Sequence, residues 1–122
     1  FTDNMYDFIL CNHVLEHVEN DLKALSEIKR ILKKGGKGIV QVPFYNPVPK
    51  YTIEDKSIKS KKDREKYYGQ SDHVRKYGKD YKQRLESTGL KVEIIYPSDF
   101  LSRSEMKLYS VFETEEIYIV RK

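Results

Sequence analysis

The chain has 122 residues, 39% of them hydrophobic and 34% charged, with a formal net charge of +4. That supports one modest core and excludes a multidomain arrangement. No apolar run approaches the roughly 20 residues of a membrane-spanning helix, and the single cysteine, Cys11, excludes an internal disulfide framework. Cys11 lies in an apolar stretch, which predicts a buried structural thiol in a cytoplasmic protein. The positive charge is local: between Lys50 and Arg84, Lys and Arg outnumber Asp and Glu, while the two ends are balanced or acidic. The opening Phe1-Thr2-Asp3-Asn4 has neither the basic flank nor the apolar stretch of a signal peptide. Because it runs straight into a turn and a strand, it reads as the middle of a domain.

Tyr6-Asp7-Phe8-Ile9-Leu10-Cys11 is apolar without alternation, the pattern of a strand covered on both faces. A helix follows, capped by Asn20, with Asp21 at the positive end of its dipole. Leu22, Leu25, Ile28 and Leu32 recur at three- and four-residue spacing as its buried stripe, and Gly35-Gly36 supplies a left-handed stop after Lys33 and Lys34. Gly38–Pro43 is a second buried strand. Strand, helix and strand make a βαβ unit, which requires parallel strands and a right-handed crossover.

Pro43, Pro47 and Pro49 then break regular structure, and residues 44–78 read as an insertion or lid, polar, basic and rich in tyrosine. Within it, Asp63 to Tyr68 has the composition for a helical turn or two. A second helix is expected from Lys79 to Thr88, a third strand from Leu90 to Tyr96 and a fourth from Glu116 to Arg121. Asp99 to Phe112 is a weakly patterned connector. With no helical crossover between them, the last two strands are expected to close the sheet antiparallel, Ile117–Val120 sitting between Ile39–Val42 and Val92–Tyr96. Phe8–Cys11 is then left as an open apolar edge, which invites self-association.

At this point the residues resemble a known family. Tyr6 to Val18 is similar to the fourth strand and following loop of type 11 methyltransferases, and Asp21 to Gly36 to the helix after it, with Lys34 where the family has a proline. Gly38 to Pro43 resembles the family's fifth strand, and Gly89 to Tyr96 with Glu116 to Arg121 its closing pair. The resemblance implies the C-terminal half of a Rossmann-like α/β fold and S-adenosylmethionine-dependent methyl transfer to an acceptor the sequence does not identify. The family's glycine-rich loop and its second-strand acidic residue have no counterpart among these residues. Gly35-Gly36-Lys37-Gly38 follows a helix and precedes a strand, the reverse of a cofactor-cradling order. The chain by itself is therefore expected to bind the cofactor weakly and to be inactive.

What the resemblance implies for the site is a cofactor-binding turn of Cys11, Asn12 and His13, with Leu15 and His17 beside it. The run Asp72-His73-Val74-Arg75-Lys76-Tyr77-Gly78 is similar to a segment lying over the active-site mouth in some family members. His73, Arg75 and Tyr77 are accordingly expected to meet the methyl acceptor. Two competing readings use the same residues. His13-Val14-Leu15-Glu16-His17 matches the inverted zinc-peptidase pattern H-x-x-E-H. That reading needs a helix through all five residues, which the position of His13 just past a strand disfavours, so no bound metal is expected there. The other reading is a nucleic-acid module in which Tyr51, Tyr67, Tyr68, Tyr77 and Tyr81 interleave with lysines to stack on bases. It has no recognition motif to support it.

Overall fold

The computed structural model of the chain describes residues 1–122, and it begins with the expected unit. β1 (Tyr6–Asn12) lies parallel to β2 (Leu32–Gln41), with α1 (Asp21–Ile31) between them. Asn20 caps α1 by accepting the Lys23 backbone N–H at 2.9 Å. Leu25, with Ala24 and Ile28 beside it, packs on the sheet, whereas Leu22 is 40% exposed, so the buried stripe is narrower than its spacing predicts.

α1 also stops earlier than expected. Leu32 leaves the helix in an extended conformation, pairs with Tyr6 and remains fully buried. Gly35 does take the left-handed conformation, at φ 76°, but inside the strand rather than at the helix end. The strand register shifts between Tyr6 and Phe8, opposite this irregularity.

After β2 come α2 (Lys61–Tyr68), α3 (Tyr81–Glu86), β3 (Lys91–Ile95), α4 (Arg103–Tyr109) and β4 (Ile117–Arg121). The sheet order is β1-β2-β4-β3, with β4 antiparallel to both of its neighbours. The closing pair is thus arranged as the sequence predicts, and β1 is an edge. Its Ile9 and Cys11 join the core, while Phe8 and Leu10 on the opposite face are 51% and 65% exposed. No helix is long and apolar enough to cross a membrane.

One face of the sheet carries the core. Val40, Val42, Tyr118 and Val120 from the strands meet Leu25, Tyr81 and Leu85 from the helices. Tyr81 stacks edge-on between Tyr77 and Tyr118, each ring centroid 4.9 Å away, and donates its hydroxyl to the Val40 carbonyl at 3.2 Å. This corrects the base-stacking reading of the tyrosines. Tyr68, Tyr77 and Tyr81 are buried, because rings so large are worth more in a small core than on its surface; only Tyr51 and Tyr67 face solvent.

The insertion is packed rather than loose. Ile53 and Lys76 form an antiparallel bridge, and the Thr52 backbone N–H donates to Asp80 at 2.8 Å. Tyr68 anchors α2 by accepting the Asp55 N–H at 3.0 Å and donating to the Asp55 carbonyl.

Candidate functional site

The carboxyl ends of β1 and β2 lie side by side, where open α/β sheets hold their ligands. An open cleft of about 1180 Å³ begins there, lined among others by His13, Gln41, Phe44, Lys82, Glu116 and Tyr118. Gln41 fixes one wall, donating to the Glu116 carbonyl at 2.6 Å and accepting the Tyr118 N–H.

The turn after β1 divides the expected cofactor residues by direction. Asn12 and His13 are exposed, and His13 takes φ 53°, a strained conformation for a non-glycine residue. The His13 backbone N–H donates to the Gln41 carbonyl at 3.0 Å, which pins the turn to β2. Cys11 and Leu15 instead point into the core. Burial, and after it the Glu16 charge, pushes the Cys11 thiol up, so it is an inert packing group.

His17 sits at the end of a 3-10 turn (Leu15–His17), not on an α-helix through His13. The geometry required by the H-x-x-E-H peptidase reading is therefore absent. Glu16 points inward: its side chain is 1% exposed, with one oxygen 3.6 Å from His13 Nδ1 and 3.7 Å from His17 Nε2. The other oxygen, Oε2, has no hydrogen-bond partner. His17 Nδ1 lies 3.3 Å from an Asp72 carboxylate oxygen.

The last part of the insertion packs against this turn. His73, Arg75 and Tyr77 alternate with Val74 and Lys76 as the sequence predicts, and the three share a side, but that side faces inward. Arg75 is completely buried and donates to the carbonyls of Leu15, Val18 and Glu19 and to the Glu54 carboxylate. Tyr77 donates to Asp21 at 2.8 Å. Arg75 and Tyr77 thus have protein partners where an acceptor was expected, and they clamp the stretch from Leu15 to Asp21. His73 is different. Its ring packs edge-on against His17 with centroids 4.8 Å apart, and Tyr45 Oη approaches its Nδ1 at 3.5 Å. Burial, and then the neighbouring His17, lowers the His73 pKa and keeps the imidazole neutral.

Asp21, read from the sequence only as a helix-start residue, is the hub of the clamp. Burial alone would raise its pKa. Hydrogen bonds from Arg84 and Tyr77, with the Arg75 charge, outweigh that and hold the carboxyl below its usual range. No local pattern reveals these ion-pair roles of Asp21, Glu54 and Asp72, because their partners come from other elements. Glu16 carried a signal in its place between two histidines.

Residues 1–40 match the family model of the methyltransferase domain. A S-adenosylmethionine-dependent methyltransferase from Archaeoglobus fulgidus superposes on 98% of this chain with a TM-score of 0.57 at 16% identity. The fold is that of the class I methyltransferases. The Haloferax volcanii methyltransferase solved with its Trm112 activator covers 99% of the chain at 17% identity and a TM-score of 0.59. Haemonchus contortus phosphoethanolamine N-methyltransferase 2, solved with S-adenosyl-L-methionine, covers all of it at 16% and 0.56. Against these methyltransferases the chain spans 61%, 56% and 34% of their lengths. Two uncharacterized Methanocaldococcus jannaschii proteins are also similar. MJ0638 is 64% identical over 42 residues, which is 34% of this chain and 18% of that protein. MJ1123 is 33% identical over 91 residues, 75% of this chain and 41% of that protein.

Proposed function

We propose that the protein transfers a methyl group from S-adenosylmethionine, and that these residues contribute the methionine side of the cofactor site. The observation that carries the reading is the exposed Asn12-His13 turn at the carboxyl end of β1, inside the stretch matching the methyltransferase domain. Methyl transfer is an in-line attack on the sulfonium carbon, so placement and water exclusion matter more than a large catalytic set. Asn12 and His13 meet the cofactor, and His17 stands beside them. Cys11 and Leu15 support the turn from the core, and Arg75 and Tyr77 are positioning residues that clamp the stretch from Leu15 to Asp21. His73, beside His17, faces the acceptor side. The acceptor is a small molecule with a hydroxyl or amine to be deprotonated. Its setting is the cytoplasm, in keeping with one reduced, buried thiol.

The contacts to adenosine and ribose in such folds come from strands that these residues do not include, so the 122-residue chain should bind cofactor weakly. Titration with S-adenosylmethionine, followed by amide chemical shifts, should perturb Cys11–His17 only at roughly millimolar cofactor. Micromolar affinity by calorimetry would show that the chain holds a complete site. Shifts that spare Asn12 and His13 at saturation would remove the proposed cofactor turn.

A further inference from the structure

We propose that Glu16, His17 and His73 form a binding site for a divalent transition-metal ion. One potential ligand atom from each lies within 4.8 Å of the other two. The three are brought together by the fold: Glu16 and His17 follow β1, and His73 arrives from the far end of the insertion.

Four features distinguish this cluster from a chance meeting of polar side chains. The Glu16 side chain is 1% exposed, and its Oε2 has no partner. A buried carboxylate oxygen left bare carries a desolvation cost that a cation would remove. The histidines near Oε1 do not serve, since 3.6 and 3.7 Å are beyond hydrogen-bond distance. Next, His17 presents Nε2 toward Glu16 while its Nδ1 faces the Asp72 carboxylate at 3.3 Å. That is the arrangement by which an outer carboxylate fixes the tautomer and aim of a ligating imidazole. Third, the donor set of two imidazoles and one carboxylate is the one that suits zinc or iron(II) with positions left open. Finally, the His17 side chain is 37% exposed, which gives an ion and its waters a way in.

Nitrogen and oxygen ligands of a tetrahedral zinc ion stand about 3.3 Å apart, given bonds near 2.0–2.2 Å. His17 Nε2 is already 3.7 Å from Glu16 Oε1, and the three ligand atoms, all within 4.8 Å of one another, need to draw together to reach that spacing. The site differs from the H-x-x-E-H reading in both ligands and geometry: Glu16 binds the ion instead of acting as base, and His73 replaces His13.

The test uses the ion alone, so it does not depend on methyl transfer. The chain is stripped with a chelator and titrated with zinc chloride by calorimetry, and with cobalt(II) by visible absorption. One ion per chain is expected, with cobalt bands of a four- or five-coordinate nitrogen and oxygen site. His17→Ala should weaken zinc binding by about tenfold or more, in keeping with the loss of a first ligand, and should leave far-ultraviolet dichroism and melting temperature intact because the ring is at the surface. His73→Gln should weaken it likewise. Wild-type chain that binds zinc no more tightly than His17→Ala would overturn the proposal. So would loss of binding in His13→Ala with retention in His73→Gln, which would assign the ion to the two histidines of the five-residue motif.

Discussion

Arg75 shows how far a residue's role depends on what the chain folds around it. In sequence it is expected to meet a methyl acceptor; in the fold it is wholly buried and ties the loop of residues 15–19 to the far end of the insertion. Removing it leaves three buried carbonyls without their donor and takes one of two cations from the Asp21 and Glu54 carboxylates, Arg84 being the other. Arg75→Ala should therefore cost about 3–5 kcal/mol, the loss seen when one partner of a buried ion pair is deleted. Arg75→Lys should recover only part of it, because one ammonium cannot reproduce the planar fork. Urea midpoints of the three proteins measure this. Tyr77→Phe, which removes one hydrogen bond to a charged acceptor that Arg84 still satisfies, should cost less, about 1–2 kcal/mol. Asp21 adds a pH dependence. Its folded pKa lies below the unfolded value of about 3.9, so its contribution is complete above that value and is lost as pH falls through the folded one. Unfolding followed from pH 6 to pH 2 should show stability dropping below about pH 4, with a shallower drop in Asp21→Asn. An equal drop in both would remove Asp21 as the source. The alternation of His73, Arg75 and Tyr77 was legible in the sequence, but which way that side faces was not. Direction depends on the loop of residues 15–19 lying beneath, and no pattern of period two encodes that.

Among the elements, the strands were readable from their apolar runs, although β2 starts six residues earlier than its run and β1 is covered on one face, not both. The errors fall at ends and in the short helices. α1 was extended to Lys34 because Leu32 fits its stripe, yet Leu32 is just as well buried in an extended backbone. α4 lies within the weakly patterned connector and starts at a capping box of Ser102 and Glu105, with the Ser102 N–H donating to Glu105 at 2.8 Å. Ser60 starts α2 in the same way by accepting from Asp63. The composition of Asp63 to Tyr68 already predicts α2, whereas α4 has a cap but too short an apolar period to stand out from its connector. Two glycines of β2 separate two kinds of constraint. At Gly38 an added Cβ would sit 2.6 Å from the Ile9 carbonyl oxygen, so the parallel pair would have to part. At Gly35 there is open space and only a φ of 76° to oppose a side chain. Gly38→Ala should destabilise by about 1–3 kcal/mol as overpacking does, and Gly35→Ala by about 1 kcal/mol. Equal melting temperatures for the two variants would refute the close approach of β1 to β2 at this point.

At the scale of the whole molecule, the sheet has two edge strands, β1 and β3, and they differ in what flanks them. β3 ends it on one flank, while β1 offers unpaired backbone groups flanked by exposed Phe8 and Leu10. Such an edge accepts another strand, so the 122-residue chain should associate with itself as its concentration rises, and Leu10→Lys should reduce this. Sedimentation across a concentration series decides the matter; an unvarying monomer with a rigid β1 would defeat the expectation.

The position of β4 has a consequence for how the chain is made. β4 lies between β2 and β3, and its strand-to-strand hydrogen bonds are the only ones that hold β3 in the sheet. A ribosome synthesises β4 after both, so β2 and β3 emerge as two facing edges with a gap one strand wide. Until residues 117–121 clear the exit tunnel, the β1-α1-β2 unit is the only part of the sheet that can be paired. Loop closure of that length comes late and is slow relative to local pairing. A chain truncated after Thr114 should therefore show protected amides in β2 and none in β3, and a chain that includes residues 115–122 should show both protected.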